Sequence, residues 1–369
     1  MNNKVKVLVA SVVVLLLAIG VGYSVLNKGK NSPAQTKKIT KVGVIAPLTG
    51  GLAEYGLAFK NGITLATEKS GNKNVEYVFE DSQYDSGKAV AAYYKLKNID
   101  KIDVLVNWGG VPTDAIAPLL KDQKMPFLAG STLGRVTQSS PYTVRIMDTP
   151  DDFAISMWTY LRAHNQKNIA IVKTEMLYFK SVLDALDKNK NADESITVID
   201  NYKTADETDF RTSILKIKNV SKQYDAVGVL LATGQIGQFY KQAGELGLTV
   251  PTFGTDFFEN QSDIDTAGKN INGAVFANYN TTDSFSAEYK ARFGNLSQLG
   301  YAGNGFDVAN MLNGADLTNS DTIINSIKAT KNYNGVLGSY NYVETSDDRY
   351  LRSPVKVKII QDGLVSAVK

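Results

Sequence analysis

Glycine, hydroxyl and aromatic residues collect where strand-like runs of this chain end. Val104-Leu105-Val106 runs into Asn107-Trp108-Gly109-Gly110, and Pro126-Phe127-Leu128-Ala129 runs into Gly130-Ser131-Thr132. Turns of this composition present backbone N–H groups and short hydroxyls, chemistry suited to a small polar molecule that is anionic at one end. Asp256, just after Pro251-Thr252-Phe253-Gly254-Thr255, follows another such run and could hold an ammonium opposite. Tyr55, Trp108 and Tyr178 lie at or beside strand-end turns, where ring faces can cover a ligand.

Catalytic chemistry finds few parts. The chain has no cysteine and one histidine, so thiolate metal sites, disulfides, a cysteine nucleophile and a histidine-based triad are all unsupported. His164 falls at the polar end of an expected helix and reads as a C-terminal cap. Gly50, Gly51 and Gly56 do not have dinucleotide-fingerprint spacing, and neither a P-loop nor a Gly-x-Ser-x-Gly elbow occurs. Asp151-Asp152 and Asp347-Asp348 read as solvated pairs. The expectation is a binding protein, not an enzyme, with no cofactor and no metal.

The elements that must place these residues alternate. Strands are expected at residues 41–46, 75–80, 104–106, 126–129 and 143–147, with helices between them. A second series follows, with strands at 168–172, 196–199, 226–231 and 251–256 and an isolated strand at 355–360. Alternation at this spacing predicts parallel βαβ units with right-handed crossovers. The simplest assembly is two doubly wound parallel-sheet lobes joined by a multi-strand hinge. Crossings are expected near residues 146–149, 278–282 and 340–345. The first lobe would then be 39–147 plus 279–342, and the second 148–278 plus 343–369.

A chain of 369 residues suits two lobes, and 43% hydrophobic with 21% charged residues is the composition of a globular protein. A net charge of +3 with scattered lysines does not recommend a nucleic-acid partner. Residues 7–26 are uninterruptedly apolar and flanked by Lys4, Lys6, Lys28 and Lys30, behind a short segment 1–6. That length spans a bilayer, and no small-x-small cleavage site follows it. The run is expected to be an uncleaved anchoring helix, with residues 27–38 as a tether and the folded part outside the cytoplasm. Cleavage would instead leave a secreted or periplasmic protein.

From about Lys41 onward the chain resembles the extracytoplasmic solute-binding proteins of branched-chain amino-acid ABC transporters, of the type I periplasmic binding protein fold. The resemblance rests on Val42-Gly43-Val44-Ile45-Ala46-Pro47-Leu48-Thr49-Gly50, Tyr55-Gly56, Asn61-Gly62, Glu80-Asp81-Ser82 with Asp85, the 126–132 segment, and Gly254-Thr255-Asp256. It implies a cleft that closes by hinge motion on an amino acid for delivery to an ABC permease. It further implies that Ser131, Thr132 and the Gly130 carbonyl grip the ligand head, that Tyr178 caps it and that Asp256 pairs with its ammonium. Tyr55 would line the side-chain end. Gly109 and Gly110 form the facing turn, and Thr233 ends a strand of the second lobe that lacks the tyrosine of many relatives. Gly110 stands where leucine-binding relatives carry a serine for the carboxylate. That departure makes an amide or an aromatic acid a rival ligand, and Trp108 beside it favours something flat or apolar. A ligand-sensing ectodomain of the same fold is the alternative function. An enzyme built on this scaffold is the weaker third.

Overall fold

The computed structural model describes residues 39–219, 224–294 and 297–368. Its order starts β1 (Thr40–Ala46), helix Ala53–Ser70, β2 (Val75–Asp81), helix Ser86–Lys95 and β3 (Val104–Trp108). Helix Gly110–Ile116, β4 (Phe127–Gly130) and β5 (Thr143–Arg145) complete the first series. The second series is helix Pro150–Ala163, β6 (Asn168–Thr174), helix Leu177–Asn189, β7 (Ser195–Tyr202), helix Arg211–Asn219 and β8 (Ala226–Leu230). It continues through helix Gln235–Glu245, β9 (Thr252–Gly254) and β10 (Val275–Tyr279). Helices Asp283–Phe293 and Leu299–Gly314 follow, and the chain ends in strands β11 (Tyr333–Gly335), β12 (Gly338–Glu344), β13 (Arg349–Arg352), β14 (Val355–Gln361) and β15 (Leu364–Ala367).

These strands form two sheets, ordered β11-β12-β13-β5-β4-β3-β1-β2 and β15-β14-β10-β9-β8-β6-β7. β1 lies between β2 and β3, and β6 between β7 and β8, all parallel. Each sheet therefore reverses its winding once, at β1/β3 and at β6/β8, and such reversals open a crevice at the strand carboxyl ends. β3 and β8 are buried at every residue, as strands covered by helices on both faces must be.

The chain passes between the lobes after β5, after β10, and at residues 353–354 between β13 and β14. The last passage is later than the 340–345 expected. β12 and β13 form an antiparallel hairpin that extends the first sheet, with β13 alongside β5. Asp148 ties the passages together: its carboxylate accepts from the Ser353 N–H at 3.0 Å and the Ser353 hydroxyl at 2.7 Å, and its N–H donates to the Tyr279 oxygen at 3.1 Å. The acidic pairs are not simply solvated. Asp348 is ion-paired with the fully buried Arg145, and the Asp152 carboxylate accepts from the N–H and hydroxyl of the N-cap Thr149 and meets Arg352.

In the first lobe, helices Ala53–Ser70 and Leu299–Gly314 pack backbone to backbone through glycine. A Cβ on Gly62 would lie 1.8 Å from the Ala302 oxygen, and one on Gly305 would lie 2.2 Å from the Phe59 oxygen. His164 is the C-cap of helix Pro150–Ala163, its Nδ1 2.8 Å from the Tyr160 oxygen. Among the described residues no helix is long and apolar enough to cross a membrane, and the anchor expected at residues 7–26 lies outside them.

Candidate functional site

The carboxyl ends of β1, β3 and β4 in one lobe and of β6 and β9 in the other meet across one cavity of about 90 Å³. At ~10–15 Å³ per water-sized occupant, that is room for roughly six to nine such atoms, a small molecule. The first lobe contributes Tyr55, Tyr84, Trp108, Gly109, Gly110, Gly130, Ser131 and Thr132, and the second contributes Tyr178, Asp256 and Phe257. Tyr301, in the first turn of the helix packed on the Tyr55 helix, closes the wall. A wider groove of about 690 Å³ beside helix Pro150–Ala163 shares no residue with this cavity.

The first-lobe ledge is pinned from below. Asn107, fully buried at the end of β3, bonds the Thr113 hydroxyl at 2.9 Å and accepts from the Gly130 N–H at 3.2 Å. Gly109, at φ +113°, donates its N–H to the Gly130 carbonyl at 2.8 Å, a conformation that favours glycine. The Gly130 carbonyl is thus already accepting one bond. The Ser131 N–H donates to the Ala129 carbonyl, its hydroxyl oxygen accepts from the Leu133 N–H, and its carbonyl accepts from Arg145. Thr132 has no hydrogen bond to another described residue.

Asp256 is 3% exposed and accepts from the Tyr178 hydroxyl and, at 2.5 Å, from the Tyr301 hydroxyl across the cleft. Burial raises its pKa above the ordinary value despite both phenols, and no cation among the described residues is paired with it. Six aromatic residues line the cavity, Tyr55, Tyr84, Trp108, Tyr178, Phe257 and Tyr301. Trp108 meets Tyr301 edge-on at 5.2 Å and Tyr55 at 5.5 Å, while Phe257 lies 5.7 Å from Tyr55 and 5.8 Å from Tyr178. The Tyr55 hydroxyl and Trp108 Nε1 are buried with no hydrogen-bond partner among the described residues. Asn260 reaches across to Glu54 at 2.6 Å, a second bond between the lobes.

Every expected site residue except Thr233 lines this cavity. Thr233 follows β8 at the reversal, as the topology requires, but its buried hydroxyl lies beside the Tyr55 phenol, outside the lining. Tyr84, Phe257 and Tyr301 escaped the sequence reading. Tyr84 follows the end of β2, so the strand-end rule applied to Glu80-Asp81-Ser82 could have found it, and Phe257 adjoins Asp256. Tyr301 enters through helix packing and has no local signal.

A family model described as periplasmic binding protein matches residues 40–357. A Leu/Ile/Val-binding protein homolog of Brucella abortus is 32% identical over 114 residues, a match spanning 29% of this chain and 29% of that relative. Among solved structures, a branched-chain amino acid transporter substrate binding protein, LivJ, from Streptococcus pneumoniae in complex with isoleucine superposes with TM-score 0.77 at 21% identity. That superposition covers 89% of this chain and 98% of LivJ. An ABC transporter solute binding protein from Rhodopseudomonas palustris in complex with 3,4-dihydroxybenzoic acid gives TM-score 0.74 at 23% identity, covering 89% and 95%. At these identities the likeness to solved structures is one of fold.

Proposed function

Since this chain belongs to the periplasmic binding protein family, we propose that it is an extracytoplasmic receptor that captures a small polar organic solute between its lobes and delivers it to an ABC permease. One observation carries this reading: strand ends of both lobes open onto one ring-lined cavity whose buried carboxylate, Asp256, has no cationic partner among the described residues. A binding site for a charged small molecule has this composition, and a packed core does not. Tyr55, Trp108, Gly109, Gly110, Gly130, Ser131, Thr132, Tyr178 and Asp256 are the proposed ligand contacts. Residues 7–26 would hold the receptor at the outer face of the membrane.

Support for this reading would come from a thermal-shift screen of amino acids, amides, amines and aromatic acids. A solute held at 100 times its Kd stabilises the folded chain by about 2.7 kcal/mol. A genuine ligand should also draw the lobes together in small-angle scattering. Absence of any stabilising solute across those four classes would overturn the receptor reading.

A further inference from the structure

The backbone donors of the turn after β4 are nearly all spent inside the protein. The Gly130 N–H goes to Asn107, the Ser131 N–H to the Ala129 carbonyl, and the Leu133 N–H to the Ser131 hydroxyl. Thr132 stands apart: neither its N–H nor its hydroxyl bonds a described residue, and it lines the interlobe cavity. Backbone donors at buried turns are nearly always paired, so an unspent amide on a cavity wall is one left for an occupant.

Arg145 sets the direction of that amide from behind. It ends β5, is fully buried and does not itself line the cavity. Its Nη1 donates to the Ser131 carbonyl and to the Met147 carbonyl, each at 2.8 Å, while its Nε, at 3.0 Å, and its Nη2 bond the Asp348 carboxylate. The C=O and N–H of a trans peptide point in opposite directions. Drawing the Ser131 carbonyl back onto the guanidinium therefore turns the Thr132 N–H of the same peptide away from it. A cationic donor on the carbonyl also polarises the amide and strengthens its N–H as a donor. The turn leaves room for the counterion: a Cβ on Gly134 would lie 2.8 Å from the Asp348 carboxyl carbon. Met147 precedes the first passage between the lobes, and Asp348 precedes β13, which leads to the third.

Resting on the receptor reading above, we infer that Arg145 is a positioning residue for the solute. It fixes the 131–132 peptide with the Thr132 N–H toward the cavity, where a solute carboxylate can accept from it, and it ties that peptide to two of the interlobe passages.

Arg145→Lys tests this. A lysine ammonium is a point charge without the planar fork; drawn to Asp348, it keeps the buried pair and releases the Ser131 carbonyl. Calorimetry with leucine and leucinamide, and with benzoate and benzamide, reads the effect. In each pair that binds, the variant should weaken the carboxylate by about tenfold. The ratio of carboxylate to amide affinity should fall at least about threefold, because bonds to a charged oxygen are roughly twice as strong as neutral ones. A loss of stability alone would weaken both members equally. Arg162→Lys, the same exchange at the Arg162–Glu194 pair outside the cavity lining, should leave the ratio where it is. Should Arg145→Lys not fold, amide exchange in the 15N-labelled wild-type protein decides. The Thr132 amide should exchange freely without solute, and should slow at least about tenfold on saturation with leucine or benzoate. An unmoved ratio, or a Thr132 amide indifferent to the bound carboxylate, overturns the inference. Binding only of solutes without a carboxylate overturns it and leaves the receptor reading standing, whereas binding of nothing in the four screened classes removes both.

Discussion

Asp256→Asn should weaken ligand binding and stabilise the unliganded protein at the same time. Asparagine keeps the shape and both bonds, its Oδ1 accepting from one phenol and its Nδ2 donating to the other, so the substitution removes charge alone. Losing a buried ammonium–carboxylate contact costs about 2–5 kcal/mol, which is roughly 30-fold to several-thousand-fold in Kd. Without ligand the sign reverses. Burial outweighs the two phenols and holds the Asp256 pKa up, so the ionised group is a liability to the folded chain. Relief on the order of 1 kcal/mol would raise the melting temperature by about 1–3 °C in a chain of this size. Wild-type affinity should also fall on acidification starting above the ordinary carboxylate pKa of about 3.9, because the ligand requires the ionised form. Calorimetry and scanning fluorimetry on the two proteins, each from pH 4 to 8, test all three. Unchanged affinity, or a lower melting temperature for the unliganded variant, would refute the reasoning.

Asp148, among the interlobe passages, is raised by burial from 3.8 to about 7, so the folded state keeps its proton to higher pH than the unfolded chain. Stability should therefore decline as pH rises from about 4 to 7, by at most about 4 kcal/mol, and Asp148→Asn should flatten that slope in denaturant titrations. Gly62→Ala puts a methyl group 1.8 Å from the Ala302 oxygen and must push the helix pair apart, lowering stability by about 1–3 kcal/mol and loosening the wall that carries Tyr55 and Tyr301. A melting temperature within a degree of wild type would contradict that contact. Lys358→Met strands Glu259, whose other side-chain partner is Asn278 at 2.5 Å, and should cost about 3–5 kcal/mol, most of it recovered by Lys358→Met with Glu259→Gln. A double variant no more stable than the single one would show that the pair is not coupled.

Those features of the candidate site that depend on strand ends are legible in the sequence. Asp256, Tyr178, Trp108 and the glycines at 109, 110 and 130 all follow directly from the rule that parallel sheets bind ligands at their carboxyl edges. Thr233 obeys the same rule but lies outside the cavity lining, because the rule fixes which edge a residue occupies and not which way its side chain turns. Tyr301 shows the converse. It is brought to the cavity by the glycine contacts between two helices far apart in sequence, a register that periodicity does not encode. The third passage between lobes was misplaced for a related reason. Asp347-Asp348 read as a solvated pair, whereas Asp348 is the anion that neutralises buried Arg145 and so fastens the β12–β13 hairpin to the first sheet. A buried ion pair spanning two hundred residues leaves no local trace.

Under the proposed receptor reading, the Tyr301–Asp256 bond would make lobe closure and charge recognition one event. A carboxylate has about four acceptor positions, and the two phenols use two of them, so an ammonium adds donors without displacing either tyrosine. Tyr178 belongs to the same lobe as Asp256, while Tyr301 comes from the other, so the acid is bonded from both sides of the cleft, beside the Trp108 and Tyr55 rings that line the same cavity. A ligand shifts an equilibrium only by its difference in affinity for the two states. Under the proposed reading that difference would come from first-lobe groups such as Tyr301, which an open receptor would hold away from Asp256. The glycine-packed helix pair carries both Tyr55 and Tyr301, so under the proposed reading the two rings would arrive together, and a cation held on Asp256 would gain both contacts in a single movement.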